Sequence, residues 1–269
     1  MSAPLRPLPA VEHLEPIGLA ALDAAAALQR RFDTKYLLPR DDVSELLGRL
    51  QPTHQVLEAN GLRQFDYRTT YFDTEELGAF RDHVQGRRRR LKVRVRHYVD
   101  TGDCFFELKL RGARDCTIKR RLPHDPGLRR SLGADTLAAL ERWVRAAYDR
   151  PAPGPLAPVL EVAYTRTTLV SPERGERLTI DLDVRMWAAD TDGWGRLDPD
   201  LAVVETKSAR RPSLAGRELK ALGARPLDRM SKYCVGVVLA LGRSRGNALL
   251  PVVRHCAGRP SPTGASCAP

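Results

Sequence analysis

The sequence has few cysteines, and their arrangement predicts neither a disulfide framework nor a zinc site. Cys104, Cys116, Cys234, Cys256 and Cys267 are odd in number and form no Cys-x-x-Cys pair. No histidine lies at metal-ligand spacing from them. We therefore expect the protein to work in a reducing compartment.

The chain also lacks a long hydrophobic run. Its most apolar stretch, Cys234 to Leu241, is far shorter than the roughly 18 residues that a membrane span needs. The N-terminal segment from Met1 to Pro16 contains prolines where a signal peptide would be continuously apolar. We therefore expect no transmembrane segment, no secretion by that route, and a cytoplasmic protein.

Aromatic residues make up only 6% of the 269 residues, and acidic residues are outnumbered by basic ones. Lys and Arg total 44 against 33 Asp and Glu, which gives a formal charge of +11 and a pI near 9.8. Such an excess indicates an anionic partner. A nucleic-acid binder would use the same charge, but neither an aromatic stacking motif nor a recognition helix is visible. We expect no specific nucleic-acid partner.

Composition divides the chain into one core and two tails. Residues 1–18 are rich in proline, and residues 243–269 are rich in Gly, Pro, Ser and Arg without periodicity, so we predict two disordered tails. The Pro-Gly cluster at residues 151–158 lies between two halves that both contain strand patterns. We interpret it as a connection inside one domain of residues 19–242.

Strand patterns dominate this core, and helices are the minority. Asp42 with Glu45 forms a capping-box signal for a helix that ends near Leu50, and residues 135–148 have the pattern of a second amphipathic helix. Eight strands are predicted at residues 32–38, 64–72, 89–99, 104–110, 117–122, 159–169, 177–186 and 201–207. We therefore expect an α+β fold in which a closed, eight-stranded antiparallel β-barrel tunnel carries flanking helices.

Charged side chains alternate with apolar ones on several of these strands. The strand period of two places Arg90, Lys92, Arg94 and Arg96 on one face, with Leu and Val on the other. Three more strands repeat the design, at residues 106–110, 178–184 and 204–207. A solvated face would explain one such strand. Four such strands favour a barrel whose apolar face packs outward on helices and whose charged lumen is neutralised by a polyanion and a divalent cation.

Seven short motifs in a fixed order give the sequence a resemblance to a known family. They are Arg31-Phe32-Asp33-Thr34-Lys35-Tyr36, Tyr71-Phe72-Asp73-Thr74, Lys92-Val93-Arg94-Val95-Arg96-His97-Tyr98, Phe106-Glu107-Leu108-Lys109, Tyr164-Thr165-Arg166-Thr167, Val204-Glu205-Thr206-Lys207 and Ser231-Lys232-Tyr233. On these motifs, residues from about 31 to 241 resemble the polyphosphate-polymerase (VTC) domain of the CYTH, or triphosphate tunnel metalloenzyme, superfamily.

The resemblance implies a phosphotransferase that moves the γ-phosphoryl group of ATP to a growing inorganic polyphosphate chain, with Mn²⁺ or Mg²⁺ as cofactor. The implied catalytic residues are Arg94, Arg96, Lys109 and Lys232. The implied substrate-binding residues, together with Lys92 from the shared strand face, are Lys35, Arg166, Arg229 and His83. The implied metal ligand is Glu205, and Asp183 and Asp181, from the charged face of their strand, are second candidates.

Several alternatives remain open. Arg31, Asp33 and Lys35 stand where the hydrolase branches of the superfamily carry Glu-x-Glu-x-Lys, so a cation replaces one carboxylate and the polymerase-like branch is favoured. A triphosphate hydrolase of the same fold, or a non-catalytic module that binds polyphosphate or nucleotides, is the alternative function. Two residues also have alternative roles. Lys35 could be an ordinary edge-strand lysine, and Glu205 could simply pair with Lys207.

Overall fold

The computed structural model describes residues 8–25, 32–112, 117–209, 212–227, 230–243 and 249–259. The strands in this part of the chain are β1 (Pro16–Ile17), β2 (Phe32–Pro39), β3 (Gln55–Leu57), β4 (Phe65–Asp73), β5 (Leu91–Tyr98), β6 (Cys104–Arg111), β7 (Thr117–Pro123), β8 (Ala157–Ser171), β9 (Glu176–Ala188), β10 (Trp194–Leu197), β11 (Leu201–Ser208) and β12 (Cys256–Arg259). The α-helices are α1 (Leu19–Ala25), α2 (Arg40–Leu50), α3 (Gly78–Val84), α4 (Ala134–Tyr148), α5 (Leu214–Ala221), α6 (Lys232–Ala240) and α7 (Leu250–Val253). None of these helices is long and apolar enough to cross a membrane.

All eight predicted strands are confirmed, with ends that shift by a few residues. The additional strands β1, β3, β10 and β12 are two to four residues long. Both predicted helices are confirmed as α2 and α4. The capping box is wrong, because α2 begins two residues before Asp42, and Pro39 at its N-cap makes no side-chain capping bond.

The closed eight-stranded barrel is wrong, because the sheet is open and has twelve strands. In the described part of the chain, β7 pairs only with β6, and β2 pairs with β11 and makes one isolated bridge from Lys35 to Leu227. Antiparallel pairing joins β2 with β11, β11 with β9, β9 with β10, β3 with β8, β4 with β5, β5 with β6 and β6 with β7, whereas β1 pairs with β3 in parallel. An alternating pattern is the same in a barrel and in an open sheet, so the sequence pattern could not reveal whether the edge strands pair.

The chain forms two compact units, each assembled from three segments. Unit 1 comprises Met1–Phe65, Tyr164–Val184 and Leu197–Asp228, and unit 2 comprises Asp66–Ala163, Arg185–Arg196 and Arg229–Pro269. Strands β8 and β9 are divided between the units. The Pro-Gly cluster at residues 151–158 lies inside one segment of unit 2 and marks no boundary between the units.

The predicted disordered tails are ordered over much of their length. Residues 8–18 form a 3-10 helix and β1, with Leu8, Val11 and Leu14 buried in the core of unit 1. Residues 249–259 form α7 and β12, with Val252 and Val253 buried. The tail prediction is wrong for these residues, because it was based on composition and overlooked isolated apolar anchors. Residues 1–7 and 260–269 lie outside the described residues.

In unit 1, the central strands are β2, β11 and β9. One face of these strands carries Tyr36, Leu38, Ile180, Leu182 and Val204, which pack against the apolar sides of α2 and α5. The register aligns Lys35 with Glu205 and Glu205 with Thr179 on the other face. Helices therefore cover the apolar face and leave the polar face as a candidate site.

In unit 2, strands β4, β5, β6 and β7 follow one another in an antiparallel meander. Val93, Val95, Phe106 and Leu108 face Leu140 and Val144 of α4 in a buried cluster. The prediction that the apolar faces pack against helices is confirmed in both units. The opposite face of β5, β6 and β7 carries the charged residues and is called the β5–β7 face below.

Helix α6 packs closely on β8 because it has a glycine at the contact. A Cβ at Gly236 would lie 2.4 Å from a side-chain carbon of Leu160, so a larger residue would push the helix away. This close approach fixes the helix that begins directly after Ser231.

Candidate functional site

Three lysines lie side by side across the β5–β7 face. The register aligns Lys92 with Lys109 and Lys109 with Lys119, and we call these residues the lysine row. Like charges directly opposite on neighbouring strands destabilise a sheet. Lys92 Nζ donates a hydrogen bond to Ser231 Oγ at 2.7 Å, and Lys119 pairs with Glu107. A row of this kind favours a polyanionic ligand, which would offset the repulsion.

A buried carboxylate lies beside the lysine row. Glu107 is 1% exposed, and its Oε2 accepts hydrogen bonds from Arg94 Nε at 2.7 Å and Nη2 at 2.6 Å. Arg96 Nη1 lies 3.8 Å from the same oxygen, and Lys119 Nζ forms an ion pair with Oε1. We call Glu107, Arg94, Arg96 and Lys119 the Glu107 cluster. It gathers three cations around one carboxylate.

The charge states of this cluster follow from its surroundings. Burial opposes ionisation of Glu107, but Arg94, Arg96 and Lys119 outweigh it and hold the pKa of the carboxyl well below its usual range. Desolvation of the Lys119 ammonium, aided by Arg94 and Arg96, lowers the pKa of Lys119 to about 8 against the attraction of Glu107. At neutral pH the cluster therefore carries a net positive charge, which an anionic ligand would stabilise.

The start of α6 is held in place by a buried hydrogen bond. Tyr233 Oη donates to Asp73 Oδ2 at 2.5 Å, and the Tyr233 ring stacks on Tyr71 with centroids 5.0 Å apart. Burial, reinforced by Asp73, raises the pKa of Tyr233 well above its usual value. Asp73 also accepts hydrogen bonds from the backbone N–H groups of Ala79 and Phe80 in α3. This arrangement positions Ser231, the acceptor for Lys92, and the half-buried Lys232.

The polar face of unit 1 carries a carboxylate shared by two lysines. Lys35 Nζ and Lys207 Nζ each lie 3.7 Å from Glu205 Oε1. The Thr179 hydroxyl, directly across from Glu205, is buried and has no hydrogen-bond partner among the described residues. The pairing of Glu205 with Lys207 that the sequence left open is present, but Lys35 shares the same oxygen.

Two arginine–aspartate pairs complete this face of unit 1. Arg166 donates from Nε at 2.5 Å and from Nη2 at 2.8 Å to the two oxygens of Asp181, and its guanidinium lies over the Tyr164 ring. Arg40 Nη1 lies 3.5 Å from Asp183 Oδ2. Both Asp181 oxygens are thus engaged by one guanidinium, which makes Asp181 a poor metal ligand.

The predicted metal site fits these residues only as a site with a single carboxylate. Within the described segments, no three His, Cys, Asp or Glu side chains converge to hold a metal ion. In phosphoryl-transfer sites Mg²⁺ usually keeps several waters and binds one or two carboxylates plus substrate phosphates. Glu205, with the unpartnered Thr179 hydroxyl beside it, fits that arrangement. Asp183, held near Arg40, is the weaker candidate.

The predicted site residues fall into two groups. Arg94, Arg96, Lys109 and Lys92 lie on the β5–β7 face of unit 2, and Lys232 begins α6 in the same unit. Lys35, Glu205, Arg166 and Asp183 lie in unit 1. His83 is half-buried in the last turn of α3. Arg229 lies outside the described residues.

Two residues of this face, Lys119 and Glu107, were given no role from sequence. The alternation of residues 117–122 does place Lys119 on one face of a strand, but only the β6–β7 register aligns it with Lys109. The Asp73–Tyr233 bond joins residues 160 positions apart and leaves no local signal. Both omissions concern contacts between distant segments.

Comparison of the chain with known protein families finds one that matches most of its length. A family model described as the VTC domain matches residues 30–241. No curated protein matches the chain.

Three solved structures show weak similarity. A proposed adenylate cyclase from Bacillus halodurans is 14% identical, with 76% of this chain and 95% of that chain covered and a TM-score of 0.49. A proposed adenylyl cyclase from Hippeastrum, described as having a dominant triphosphatase activity, is 17% identical, with 77% and 94% covered and a TM-score of 0.45. The PH1819 protein from Pyrococcus horikoshii is 12% identical, with 75% and 96% covered and a TM-score of 0.39.

Proposed function

The chain belongs to the VTC domain family, and on that premise we propose that it is a phosphotransferase that moves the γ-phosphoryl group of ATP to the end of an inorganic polyphosphate chain. The observation that carries the proposal is the Glu107 cluster beside the lysine row. A set of cations with one carboxylate among them suits the binding of a ligand with several negative charges.

The side chains of the β5–β7 face have the chemistry that phosphate binding needs. Arginine offers a planar, always charged donor pair to phosphate oxygens, whereas lysine offers a compact point charge. We assign Arg94, Arg96, Lys92, Lys109 and Lys232 to phosphate binding, and add Lys119 from its place in the row. In unit 1, Lys35 and Arg166 are assigned the same role. His83 and Arg229 remain predictions from the resemblance alone.

The reaction asks for little covalent help from the protein. A terminal phosphate oxygen of the polyphosphate acceptor attacks the γ-phosphorus of ATP. The bond from that phosphorus to the β–γ bridging oxygen breaks, and ADP leaves with the electron pair. The attacking oxygen is already ionised at neutral pH, so no general base is needed. Charge neutralisation and positioning by the arginines and lysines account for most of the rate enhancement.

Glu205 is the residue assigned to a divalent cation, Mn²⁺ or Mg²⁺. Such an ion, when bound, withdraws negative charge from phosphate oxygens. Lys35 and Lys207, which flank the Glu205 carboxylate, would stay available to the phosphates of the same ligand. Removing the carboxylate should therefore affect metal-dependent turnover more than phosphate affinity.

The proposal is tested by product analysis. The purified full chain is incubated with ATP and Mn²⁺, with and without a short polyphosphate primer, and chain length, ADP and free phosphate are measured together. We expect the chains to lengthen, with one ADP formed per phosphate added. Free phosphate without longer chains would identify a triphosphate hydrolase instead. Binding of polyphosphate with neither product would identify a non-catalytic module, and either result would overturn the proposal.

A further inference from the structure

The β5–β7 face changes its chemistry along the strands. The lysine row lies at one end, Arg94 and Glu107 come next, and Arg96 opposite Phe105 comes after them. At the far end Tyr67 pairs with Tyr98. The face therefore runs from cationic to aromatic in the direction of the β5–β6 turn.

The aromatic end is a connected set of rings and guanidinium groups. The ring centroids of Tyr67 and Tyr98 are 4.9 Å apart, and those of Tyr98 and Phe105 are 6.0 Å apart. The Arg96 guanidinium lies 5.6 Å from the Tyr67 ring centre, and the Arg121 guanidinium lies 4.9 Å from the Phe105 ring centre. We call Tyr67, Tyr98 and Phe105 the aromatic cluster.

Tyr67 is buried, but core packing does not account for the other two rings of this cluster. The buried core between the meander and α4 uses Val93, Val95 and Phe106, from the other side of the strands, and contains neither Tyr98 nor Phe105. Both of these rings are partly exposed, and the Arg121 side chain is exposed. Cross-strand aromatic pairs do stabilise a sheet. That role does not require two arginines over the ring faces.

The spacing of the rows fits a nucleotide laid along the strand. At a rise of about 3.3 Å per residue, Tyr98 is ~7 Å along β5 from Arg96 and ~13 Å from Arg94. A base at the aromatic cluster would thus place its ribose and triphosphate over Arg96 and Arg94. The lysine row continues in the same direction, where a polyphosphate acceptor would need cations.

Acidic residues at the turn give the face a direction. Asp66, Asp100 and Asp103 lie at the aromatic end, where Asp100 accepts a hydrogen bond from the Asp66 backbone N–H. Their charge disfavours phosphates at this end. The phosphates of a bound nucleotide should therefore point toward the lysine row and the base toward the turn.

We propose that the aromatic cluster, together with Arg121, is a subsite for the base of the nucleoside triphosphate substrate. The inference rests on the proposed function and concerns the base, which is the part of the substrate that the phosphate-binding residues do not recognise. Bases stack on aromatic rings and on guanidinium planes, and every base has a suitable π-face. The subsite should therefore favour a nucleoside triphosphate over inorganic tripolyphosphate without strong selection between purines.

The test compares two ligands that share a triphosphate and differ in the base. Affinities of the full chain for a non-hydrolysable ATP analogue and for inorganic tripolyphosphate are measured by calorimetry in Mg²⁺. Phe105→Leu keeps apolar bulk but removes the ring, and Arg121→Lys keeps the charge but removes the planar group. We expect each variant to lose about five- to a hundredfold in affinity for the ATP analogue, with tripolyphosphate changed by less than about twofold.

Matched controls separate the subsite from the fold and from phosphate binding. Phe106→Leu makes the same change one residue away on the face that packs on α4, and should leave the ratio of the two affinities unchanged. Lys109→Ala should weaken both ligands equally. Arg121 is exposed, so Arg121→Lys decides the test even where Phe105→Leu is unstable.

The outcomes distinguish the two proposals. Wild-type protein that binds neither ligand would overturn the proposed function together with the subsite. Wild-type protein that binds both, with affinity ratios unaltered by Phe105→Leu and Arg121→Lys, would overturn the subsite alone. A selective loss of the ATP analogue supports the subsite whether the enzyme proves to be a polymerase or a hydrolase.

Discussion

The two units carry polar faces of similar design but of different charge balance. In unit 1, Lys35 and Lys207 share Glu205, Arg166 pairs with Asp181, and Arg40 lies near Asp183. Asp33 and Arg177, which the register aligns with Lys207 on its two sides, add one carboxylate and one cation. Five cations thus meet four carboxylates. On the β5–β7 face of unit 2, one carboxylate, Glu107, lies among the seven cations Lys92, Arg94, Arg96, Lys109, Arg111, Lys119 and Arg121.

The same alternating strand pattern can therefore build two kinds of polar face. A face with balanced charges stabilises itself and can offer a carboxylate oxygen to a metal ion. A face with excess cations is stabilised by an external anion, because repulsion between neighbouring cations falls when the anion binds. We expect unit 2 to respond strongly to polyanions and unit 1 to respond more weakly.

The largest expected effect concerns the only carboxylate in the Glu107 cluster. Glu107→Gln leaves Arg94, Arg96 and Lys119 around a neutral amide, and breaking a buried ion pair in this way costs about 3–5 kcal/mol of stability. Tripolyphosphate should restore much of this loss, because it supplies the missing negative charge. Urea unfolding with and without tripolyphosphate measures both effects.

Asp181→Asn in unit 1 is the matched control for this experiment. Asp181 is as deeply buried as Glu107, and its replacement by Asn leaves the Arg166 guanidinium without the carboxylate that balances its charge. The variant should be destabilised and should regain less on addition of tripolyphosphate. If tripolyphosphate restored equal stability to the two variants, the two faces would be stabilised equally by anions. The distinction between the units would then be wrong.

Glu205→Gln tests the metal role assigned to the balanced face. It should lower Mn²⁺-dependent chain lengthening by at least about a hundredfold, because one charged metal ligand is lost, while much of the polyphosphate affinity remains. Glu173→Gln, an exposed carboxylate in the β8–β9 turn, controls for loss of surface charge. Turnover unchanged by Glu205→Gln in the presence of Mn²⁺ would remove Glu205 from the site.

A fall in pH should destabilise unit 1 before unit 2, because unit 1 contains a buried histidine outside its polar face. Burial lowers the pKa of His54 from its usual 6.5 to about 4, and no group in the described part of the chain forms a hydrogen bond with its Nε2. Since the unfolded chain binds the proton more readily, the free energy of unfolding should fall as pH drops below about 6.5, by up to ~3 kcal/mol near pH 4.

Hydrogen exchange and urea unfolding at pH 7 and pH 5 locate this effect. His54→Gln should remove most of the pH dependence, and α2 should lose protection before β5 and β6. His97 in unit 2 has a pKa lowered by burial and by Arg129 and Arg68, but it is partly exposed and should contribute less. Loss of protection in unit 2 at pH 5, with α2 unaffected, would contradict the assignment.

Local pattern predicted the elements well. The eight main strands were found because each combines alternation with β-branched or aromatic residues over six or more positions. Strands as short as Pro16–Ile17 carry no measurable period, and closure of the sheet depends on which edges pair. Neither is encoded in the alternation of a single strand. The buried anchors Leu8 and Val11 were missed because composition averages over the prolines around them.

The candidate site was predicted in its residue types but not in its contacts. Alternation placed Arg94 and Arg96 on one face, and the family resemblance added Lys109 and Glu205. The role of Glu107 follows from register and burial, which bring Lys119 from another strand onto the same carboxylate. Sequence distance hides such a cluster, because each member alone is an ordinary strand residue.

The smallest expected effect separates the cations of the β5–β7 face from those of the surface in the same unit. Arg96 is 7% exposed, and Arg88, before β5, is exposed. A charge-assisted hydrogen bond from a desolvated guanidinium contributes about 1.5–3 kcal/mol, so Arg96→Ala should weaken triphosphate binding by roughly ten- to a hundredfold, even at high salt. Arg96→Lys should recover this only in part, since lysine lacks the paired planar donors. Arg88 acts only through a screened field, so Arg88→Ala should cause a small loss of affinity that disappears as salt rises.

Titration of both variants with a non-hydrolysable ATP analogue at low and high ionic strength tests this prediction. Equal losses that salt removes in both variants would mean that unit 2 has a basic surface and no phosphate site, and the contrast between the two units would then reflect net charge alone.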